Sequence, residues 1–182
     1  MHSKIFLIGF MGSGKTHWGK IWAEKKQLNF FDLDEEIEKT LGKSVAQIFE
    51  KKDEEYFREK ERDHLRKFEI KKNFILACGG GTPCFFDNLK WMNEQGSTIY
   101  MKLSPVEIFK RVMNETEKRP LIKKANASEL LFFIEQKLKE RETFYRNATY
   151  VVNAGALNED SLTKILFEDN SQSEGTLIEK KM

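Results

Sequence analysis

Cysteine is scarce in this sequence, since only Cys78 and Cys84 occur among its 182 residues. The two residues lack the paired Cys-x-x-Cys spacing that is typical of structural zinc sites. Two cysteines also do not make a disulfide scaffold, so we expect each to serve as a small apolar side chain. This usage predicts a reducing compartment, the cytoplasm.

Long hydrophobic runs and an excess of one charge are missing as well. No apolar segment approaches the roughly 20 residues that cross a membrane, and a signal peptide is not expected because the first predicted strand begins at Lys4. Lys and Arg number 31 against 29 Asp and Glu, which gives a net charge of +2. This mild balance argues against nucleic acid or a membrane as partner. We expect one domain and a monomer.

The chain does contain a glycine-rich loop between a predicted strand and a predicted helix. Residues 9–16 read Gly-Phe-Met-Gly-Ser-Gly-Lys-Thr, a pattern that binds the phosphates of a nucleoside triphosphate. Small residues let the backbone turn its N–H groups towards an anion, and the following helix adds its positive end. Lys15 would bridge the outer phosphates, and the Thr16 hydroxyl would bind Mg²⁺. The predicted nucleotide-binding residues of the loop are Gly12, Ser13, Gly14, Lys15 and Thr16.

Predicted strands and helices alternate along the chain, which indicates an α/β fold with a mostly parallel sheet covered on both faces. We predict strands at 4–8, 29–31, 73–77, 98–103 and 149–152. We predict helices at 15–26, 35–41, 45–51, 53–70, 89–93, 105–114, 128–146 and 159–167. The domain would span residues 1–168, with a mobile charged loop at 115–127 and a frayed polar tail at 169–182.

Two carboxylates follow the second predicted strand. Asp32 and Asp34 lie two residues apart, so both would point to one side if the extended geometry continued. The carboxyl end of a parallel strand opens on the ligand crevice, beside the phosphate loop. The alternative is that Asp34 only caps a helix starting at Glu35. The nearby phosphate loop favours the functional interpretation.

Further motifs follow the phosphate loop in a characteristic order. They are Asp32-Leu33-Asp34, Phe57-Arg58 with Glu61, Gly79-Gly80-Gly81, Arg119-Pro120-Leu121, and Arg141 with Tyr145 and Ala148. Together with the loop, over residues 4–152, they resemble the shikimate kinase family. The resemblance implies a three-layer α/β/α P-loop kinase fold with a five-stranded parallel sheet, substrate-binding helices at about 33–62 and a mobile lid at about 114–127. It implies transfer of the γ-phosphate of ATP to the 3-hydroxyl of shikimate, with Mg²⁺ as cofactor, on the route to aromatic amino acids.

The same resemblance assigns roles to individual residues. Asp32 resembles the residue that holds Mg²⁺ through water, and Asp34 the residue that grips the substrate diol and accepts its proton. Arg119 would reach the γ-phosphate when the lid closes, so that Lys15, Asp34 and Arg119 form the catalytic set. Arg111 aligns with a residue that packs on adenine. The implied shikimate-binding residues are Asp34, Phe57, Arg58, Gly79, Gly80, Gly81 and Arg141, with Glu61 orienting Arg58.

Two positions depart from the family's usual residue. His17 follows Thr16 where Ser or Thr is more common, and we expect no lost chemistry there. Asp53 stands where a glycine is usual before the Phe57-Arg58 motif, and it can cap the following helix itself.

Three alternatives are weighed against this interpretation. A related small-molecule kinase, such as a gluconate kinase, would keep the phosphate and magnesium residues but not the set of Arg58, Arg141 and three glycines. A guanine-binding switch would need an Asn-Lys-x-Asp element, which the sequence lacks. A pseudoenzyme without turnover is disfavoured by the intact Lys15, Asp34 and Arg119.

Overall fold

The fold is built on a sheet of six strands, and a computed structural model describes residues 3–114, 126–167 and 178–180 of it. The strand order is β2-β3-β1-β4-β5-β6. The five parallel strands are β1 (Lys4–Ile8), β2 (Asn29–Asp32), β3 (Phe74–Ala77), β4 (Ser97–Lys102) and β5 (Tyr150–Asn153). The predicted five-stranded parallel sheet is therefore confirmed.

Helices cover both faces of the sheet, as predicted. They are α1 (Lys15–Lys26), α2 (Leu33–Leu41), α3 (Val45–Lys51), α4 (Glu54–Arg66), α5 (Asn88–Gln95), α6 (Pro105–Asn114), α7 (Ala127–Tyr145) and α8 (Ser161–Phe167). Short 3-10 turns follow α4 at Lys67–Glu69 and β3 at Thr82–Cys84. Within the described ranges, no helix combines the length and apolar character needed to cross a membrane.

The central strands are apolar on both faces because helices cover both faces. In β1 the residues Ile5 to Ile8 are buried, and every residue of β3 is buried. Leu7 lies opposite Ala77 of β3 and opposite Ile99 of β4. β1 thus occupies the middle of the sheet and delivers the phosphate loop from its carboxyl end.

The start of α2 corrects the prediction for the two carboxylates. The helix begins at Leu33, because the Asp32 side chain caps it by accepting the Asp34 N–H at 3.1 Å. Extended geometry therefore ends at Asp32, and Asp34 lies in the first helical turn rather than on the strand or at the cap. Asp53 does cap α4, accepting the Tyr56 N–H at 2.9 Å, which confirms the expectation for that position.

A sixth strand corrects the expectation that all of 169–182 is a frayed tail. β6 (Ile178–Lys180) pairs antiparallel with β5, with Val151 opposite Glu179. An edge strand offers unpaired N–H and C=O groups to any extended segment that reaches it. Three residues carry no periodic pattern, so the sequence did not predict this pairing. The predicted loop at 115–127 lies, apart from its last two residues, outside the described residues.

Candidate functional site

A cleft of about 1400 Å³ opens at the carboxyl ends of the parallel strands. This edge is where ligands bind in open α/β sheets. Its walls include most of the predicted site residues, namely Gly12, Gly14, Lys15, Thr16, Asp32, Asp34, Phe57, Arg58, Gly79, Gly80, Gly81, Arg111 and Arg141. Ser13 does not line the cleft, and Arg119 lies outside the described residues.

The phosphate loop has the backbone conformation that its glycines predicted. Gly12 and Gly14 have φ angles of 76° and 93°, in the region that side chains disfavour. Gly14 also caps α1, so the helix amino terminus points into the cleft. The Lys15 ammonium donates to the carbonyls of Gly9 and Phe10, both at 2.9 Å. The Lys15 side chain therefore lies across the loop, at the position expected for a bound anion.

Ser13 faces the protein interior rather than the cleft. Its N–H donates to the Phe10 carbonyl at 3.2 Å, and its hydroxyl is buried without a hydrogen-bond partner in the described part of the chain. The loop turn thus uses the Ser13 N–H in this structure.

Thr16 and Asp32 bring two oxygen ligands together beside the loop. The Thr16 hydroxyl donates to the Asp32 carboxylate at 2.8 Å. The described residues hold no cluster of three or more His, Cys, Asp or Glu suited to a metal. Mg²⁺ in phosphotransferases takes one or two protein oxygens and completes its shell with water and phosphates. Thr16 and Asp32 fit that requirement.

Asp34 is a half-buried carboxyl group with a shifted pKa. Burial, together with the charges of Asp32 and Glu61, raises the pKa of Asp34 to about 6 against the opposing charge of Lys15. A carboxyl group with a pKa near neutrality suits proton exchange with a substrate hydroxyl.

Arg58 is held between two carboxylates on α4. Its Nη1 donates to the buried Glu61 at 2.9 Å, and its Nη2 and Nε donate to Glu54 at 2.9 and 3.2 Å. Thr82 donates to the other Glu61 oxygen at 2.6 Å. The guanidinium also lies 4.3 Å from the centre of the Phe85 ring. The orienting role predicted for Glu61 agrees with this geometry.

The three glycines after β3 pass close to charged side chains. A Cβ atom on Gly81 would lie 2.5 Å from Arg58 Nη2, and one on Gly79 would lie 2.8 Å from a Glu61 oxygen. On Gly80 it would lie 3.2 Å from Arg141 Nη1. Real Cβ atoms do not approach below 3.0 Å. A side chain at Gly79 or Gly81 would therefore displace Glu61 or Arg58 from the positions seen here.

Two further basic side chains border the cleft. The Arg141 guanidinium, from α7, lies 5.5 Å from the centre of the Phe10 ring. Arg111, from α6, donates to the carbonyls of Gly12 and Ser13 at 3.3 and 3.4 Å. Arg111 thus lies against the phosphate loop. Arg141 lies between Phe10 and Gly80, so it borders both the phosphate loop and the glycine loop formed by residues 79–81.

The cleft is also lined by residues to which the sequence analysis assigned no role, among them Phe49 and Glu54. Phe49 is 40% exposed, and its ring lies 4.7 Å from that of Phe57. An aromatic beside the buried Ile48 on a short helix is typical of core packing, so nothing in the sequence marked Phe49 as a cleft residue. Glu54 precedes Arg58 by four residues, a spacing that predicts an ion pair on a helix.

A sequence model described as shikimate kinase matches residues 11–169. The chain belongs to the shikimate kinase family. Proteins named shikimate kinase from Phocaeicola vulgatus and Parabacteroides distasonis are 40% and 42% identical to it, over 157 and 151 residues. These matches cover 86% and 83% of this chain, and 90% and 87% of the relatives.

Solved structures of shikimate kinases share the fold of this chain. Shikimate kinase from Bacteroides thetaiotaomicron superposes with a TM-score of 0.87 at 36% identity, covering 93% of this chain and 100% of that chain. Shikimate kinase from Acinetobacter baumannii, solved in complex with shikimate, gives 0.78 at 28% identity, covering 92% and 94%. A gluconokinase from Sinorhizobium meliloti gives 0.52 at 16% identity over 89% and 87%, which indicates a shared fold alone.

Proposed function

We propose that this chain transfers the γ-phosphate of ATP to the 3-hydroxyl of shikimate, which yields ADP and shikimate 3-phosphate. The observation that carries the proposal is one cleft that joins a phosphate loop to a carboxyl group and two arginines. The family membership supports this reaction over a gluconate kinase. The product lies on the route through chorismate to aromatic amino acids.

The nucleotide occupies the phosphate-loop side of the cleft in this proposal. The N–H groups around Gly12 and Gly14 and the α1 amino terminus bind the phosphates. Lys15 leaves the Gly9 and Phe10 carbonyls and moves to the outer phosphates. Arg111 packs on adenine, and its contact with the loop carbonyls supports a place on this side.

Mg²⁺ is proposed as the cofactor, held by Thr16 and, through water, by Asp32. When bound, the ion supplies charge neutralisation at the β- and γ-phosphate oxygens. Arg119 is proposed to add a second positive charge at the γ-phosphate, from a lid at about 114–127.

The acceptor occupies the opposite side, above helices of a proposed substrate-binding region at about 33–62. Arg58 and Arg141 bind the carboxylate of the acid, because planar guanidinium groups match carboxylate geometry. Phe57 forms an apolar wall, and the backbone of Gly79, Gly80 and Gly81 approaches the ring.

Asp34 aims the attacking hydroxyl in this arrangement. Its carboxylate accepts a hydrogen bond from the 3-hydroxyl and takes the proton as the oxygen attacks the γ-phosphorus. The raised pKa of Asp34 supports this role.

We further propose a cytoplasmic monomer of one domain over residues 1–168, without nucleic acid or membrane as partner.

A coupled ADP-release assay tests the proposed function. The full chain with MgATP is offered shikimate, gluconate or no acceptor, and Lys15→Ala serves as the inactive control. We expect turnover with shikimate alone. Turnover with gluconate at equal or higher efficiency, or ADP release that no acceptor stimulates, would overturn the substrate assignment.

A further inference from the structure

One face of α7 packs against the glycine loop at Gly80. Arg141 and Tyr145 lie four residues apart on this helix, so their side chains point to the same side. The Tyr145 hydroxyl donates to the Gly80 carbonyl. Arg141 Nη1 lies 3.2 Å from the position of a Cβ atom on Gly80. The two side chains therefore meet the same residue of the loop.

The hydrogen bond from Tyr145 serves a carbonyl that the local turns do not use. The Gly79 carbonyl accepts from the Thr82 N–H at 3.1 Å, and the Gly81 carbonyl accepts from the Cys84 N–H at 2.8 Å. The carbonyl between them, that of Gly80, accepts from the Tyr145 side chain. A carbonyl in this partly buried position gains from such a partner, because a polar group removed from water without a hydrogen bond is destabilising.

The Tyr145 phenol stays protonated over the working pH range, so it can donate this hydrogen bond throughout. Its side chain is buried, and burial raises the pKa of the Tyr145 phenol well above its usual range despite the nearby positive charge of Arg141. The group therefore stays protonated and donates. The ring packs on that of Tyr100, with 4.9 Å between the centres, which fixes its orientation from the other side.

We propose that Tyr145 is a positioning residue for the acceptor side of the site. It holds the Gly80 carbonyl, so that the glycine loop and Arg141 keep the relative positions that acid binding needs. The proposal rests on the proposed function. It predicts an effect on the binding of shikimate, since the phosphate loop is held by contacts of its own.

Tyr145→Phe tests this role, and the chain offers a matched control in Tyr100→Phe. Both variants remove one phenolic hydroxyl from the same pair of packed rings. The Tyr100 hydroxyl is buried and has no hydrogen-bond partner in the part of the chain that the structure describes. An effect of lost packing, or of removing a buried oxygen, should therefore be seen in both variants. An effect of losing the hydrogen bond to Gly80 should be seen in Tyr145→Phe alone.

The first readout is amide hydrogen exchange of peptides covering residues 79–84 in the free protein, which requires no substrate. Loss of one hydrogen bond, worth about 0.5–1.5 kcal/mol, corresponds to exchange that is about 2- to 12-fold faster. We expect this acceleration in Tyr145→Phe and less than about twofold in Tyr100→Phe. Equal exchange in the two variants would overturn the role, as would loss of cooperative thermal unfolding in Tyr145→Phe.

The second readout is steady-state kinetics with both substrates varied. We expect Tyr145→Phe to raise KM for shikimate by about 2- to 12-fold, with kcat and KM for ATP within about twofold. In an Arg141→Ala background the same change should have less than about twofold effect, because the two residues act together. An unchanged KM for shikimate, or an equal rise in KM for ATP, would overturn the proposal. If the wild-type chain does not phosphorylate shikimate, the proposed function fails, and hydrogen exchange still decides whether Tyr145 holds the loop.

Discussion

Asp34 can accept a proton only while its carboxyl group is ionised. Its pKa is raised to about 6 by burial and by neighbouring carboxylates, so the free enzyme loses the base form below that pH. We therefore expect kcat/KM for shikimate to fall about tenfold per pH unit below pH 6, since this parameter reports the free enzyme. A pH–rate profile measures it. An acid limb centred near the ordinary aspartate value of 3.8 would contradict the assignment.

The same shift predicts an effect on stability. A carboxyl group with a raised folded pKa favours the native state below its unfolded pKa, and this contribution is lost as pH rises from 3.8 to about 6. Asp34→Asn keeps a neutral group at every pH. We expect the variant to raise the free energy of unfolding at pH 7 by up to about 3 kcal/mol. Urea unfolding at pH 7 and at pH 3.5 checks this.

The gain from Asp34→Asn should disappear at the lower pH, because the wild-type carboxyl is then neutral in both states. A variant that is less stable than wild type at pH 7 would contradict the electrostatic account. So would a gain of the same size at both values of pH.

Glu54 pairs with Arg58, so in the proposed site it would compete with the acid for this guanidinium. Its side chain is 57% exposed and takes the Nε and Nη2 side of the guanidinium, while the buried Glu61 holds Nη1. Glu54→Gln removes one negative charge from the acceptor side. We expect KM for shikimate to fall by about 1.4- to 5-fold, because such exposed pairs are worth about 0.2–1 kcal/mol.

Steady-state kinetics at low and high salt measure this effect, and Glu55→Gln is the matched control. Glu55 lies in the same first turn of α4, so both variants remove the same favourable charge from the helix amino terminus. A rise in KM for shikimate in Glu54→Gln would mean that Glu54 orients Arg58 instead of competing for it. An equal fall in KM for shikimate in both variants would mean that the loss of a negative charge from this helix end causes the effect, and not the loss of the Glu54–Arg58 pair.

At the scale of elements, β6 adds an antiparallel edge to a parallel sheet. Its three residues pair with Tyr150, Val151 and Val152, away from the phosphate loop. Removal of residues 168–182 should therefore lower Tm by a few degrees, since about 1 kcal/mol shifts Tm by about 2–4 °C at this size. We expect kcat and both KM values to stay within about twofold, as measured by thermal unfolding and kinetics.

Glu179→Pro is a finer version of the same test, because proline removes a donor from the strand while the length of the chain is kept. It should lower Tm by part of the effect of the deletion. Loss of turnover in a deletion variant that still unfolds cooperatively would contradict a purely structural role for this segment.

The elements that the sequence predicted well are those with a strong local cause. β1 is a buried apolar run followed by a phosphate loop, and α3 has a Ser44 cap that accepts the Gln47 N–H at 3.2 Å. The start of α2 was wrong by two residues, because Asp32 and Asp34 are both good caps and only the fold decides between them. β6 was missed because its three residues carry no periodic pattern and form a strand only by pairing with β5.

At the scale of the whole molecule, the site is assembled from distant parts of the chain. The sheet order places β1 between β3 and β4, so the phosphate loop and the glycine loop lie side by side. The helical residues Arg58 and Arg141 then close the cleft from α4 and α7. Family motifs could indicate these residues, and the four-residue spacing of Glu54 and Arg58 predicts their ion pair. The Tyr145 contact with Gly80 depends on how two distant parts of the chain pack, so it required the structure.

We propose that this cleft directs the 3-hydroxyl of shikimate, through Asp34, at the γ-phosphate of ATP. The most direct test is to incubate the full chain with MgATP and shikimate and to locate the new phosphate by phosphorus and proton NMR. We expect one product, with phosphorus coupled to the proton on carbon 3 and one ADP formed per product. Phosphate on another hydroxyl, or ADP without a phosphorylated acid, would overturn this assignment.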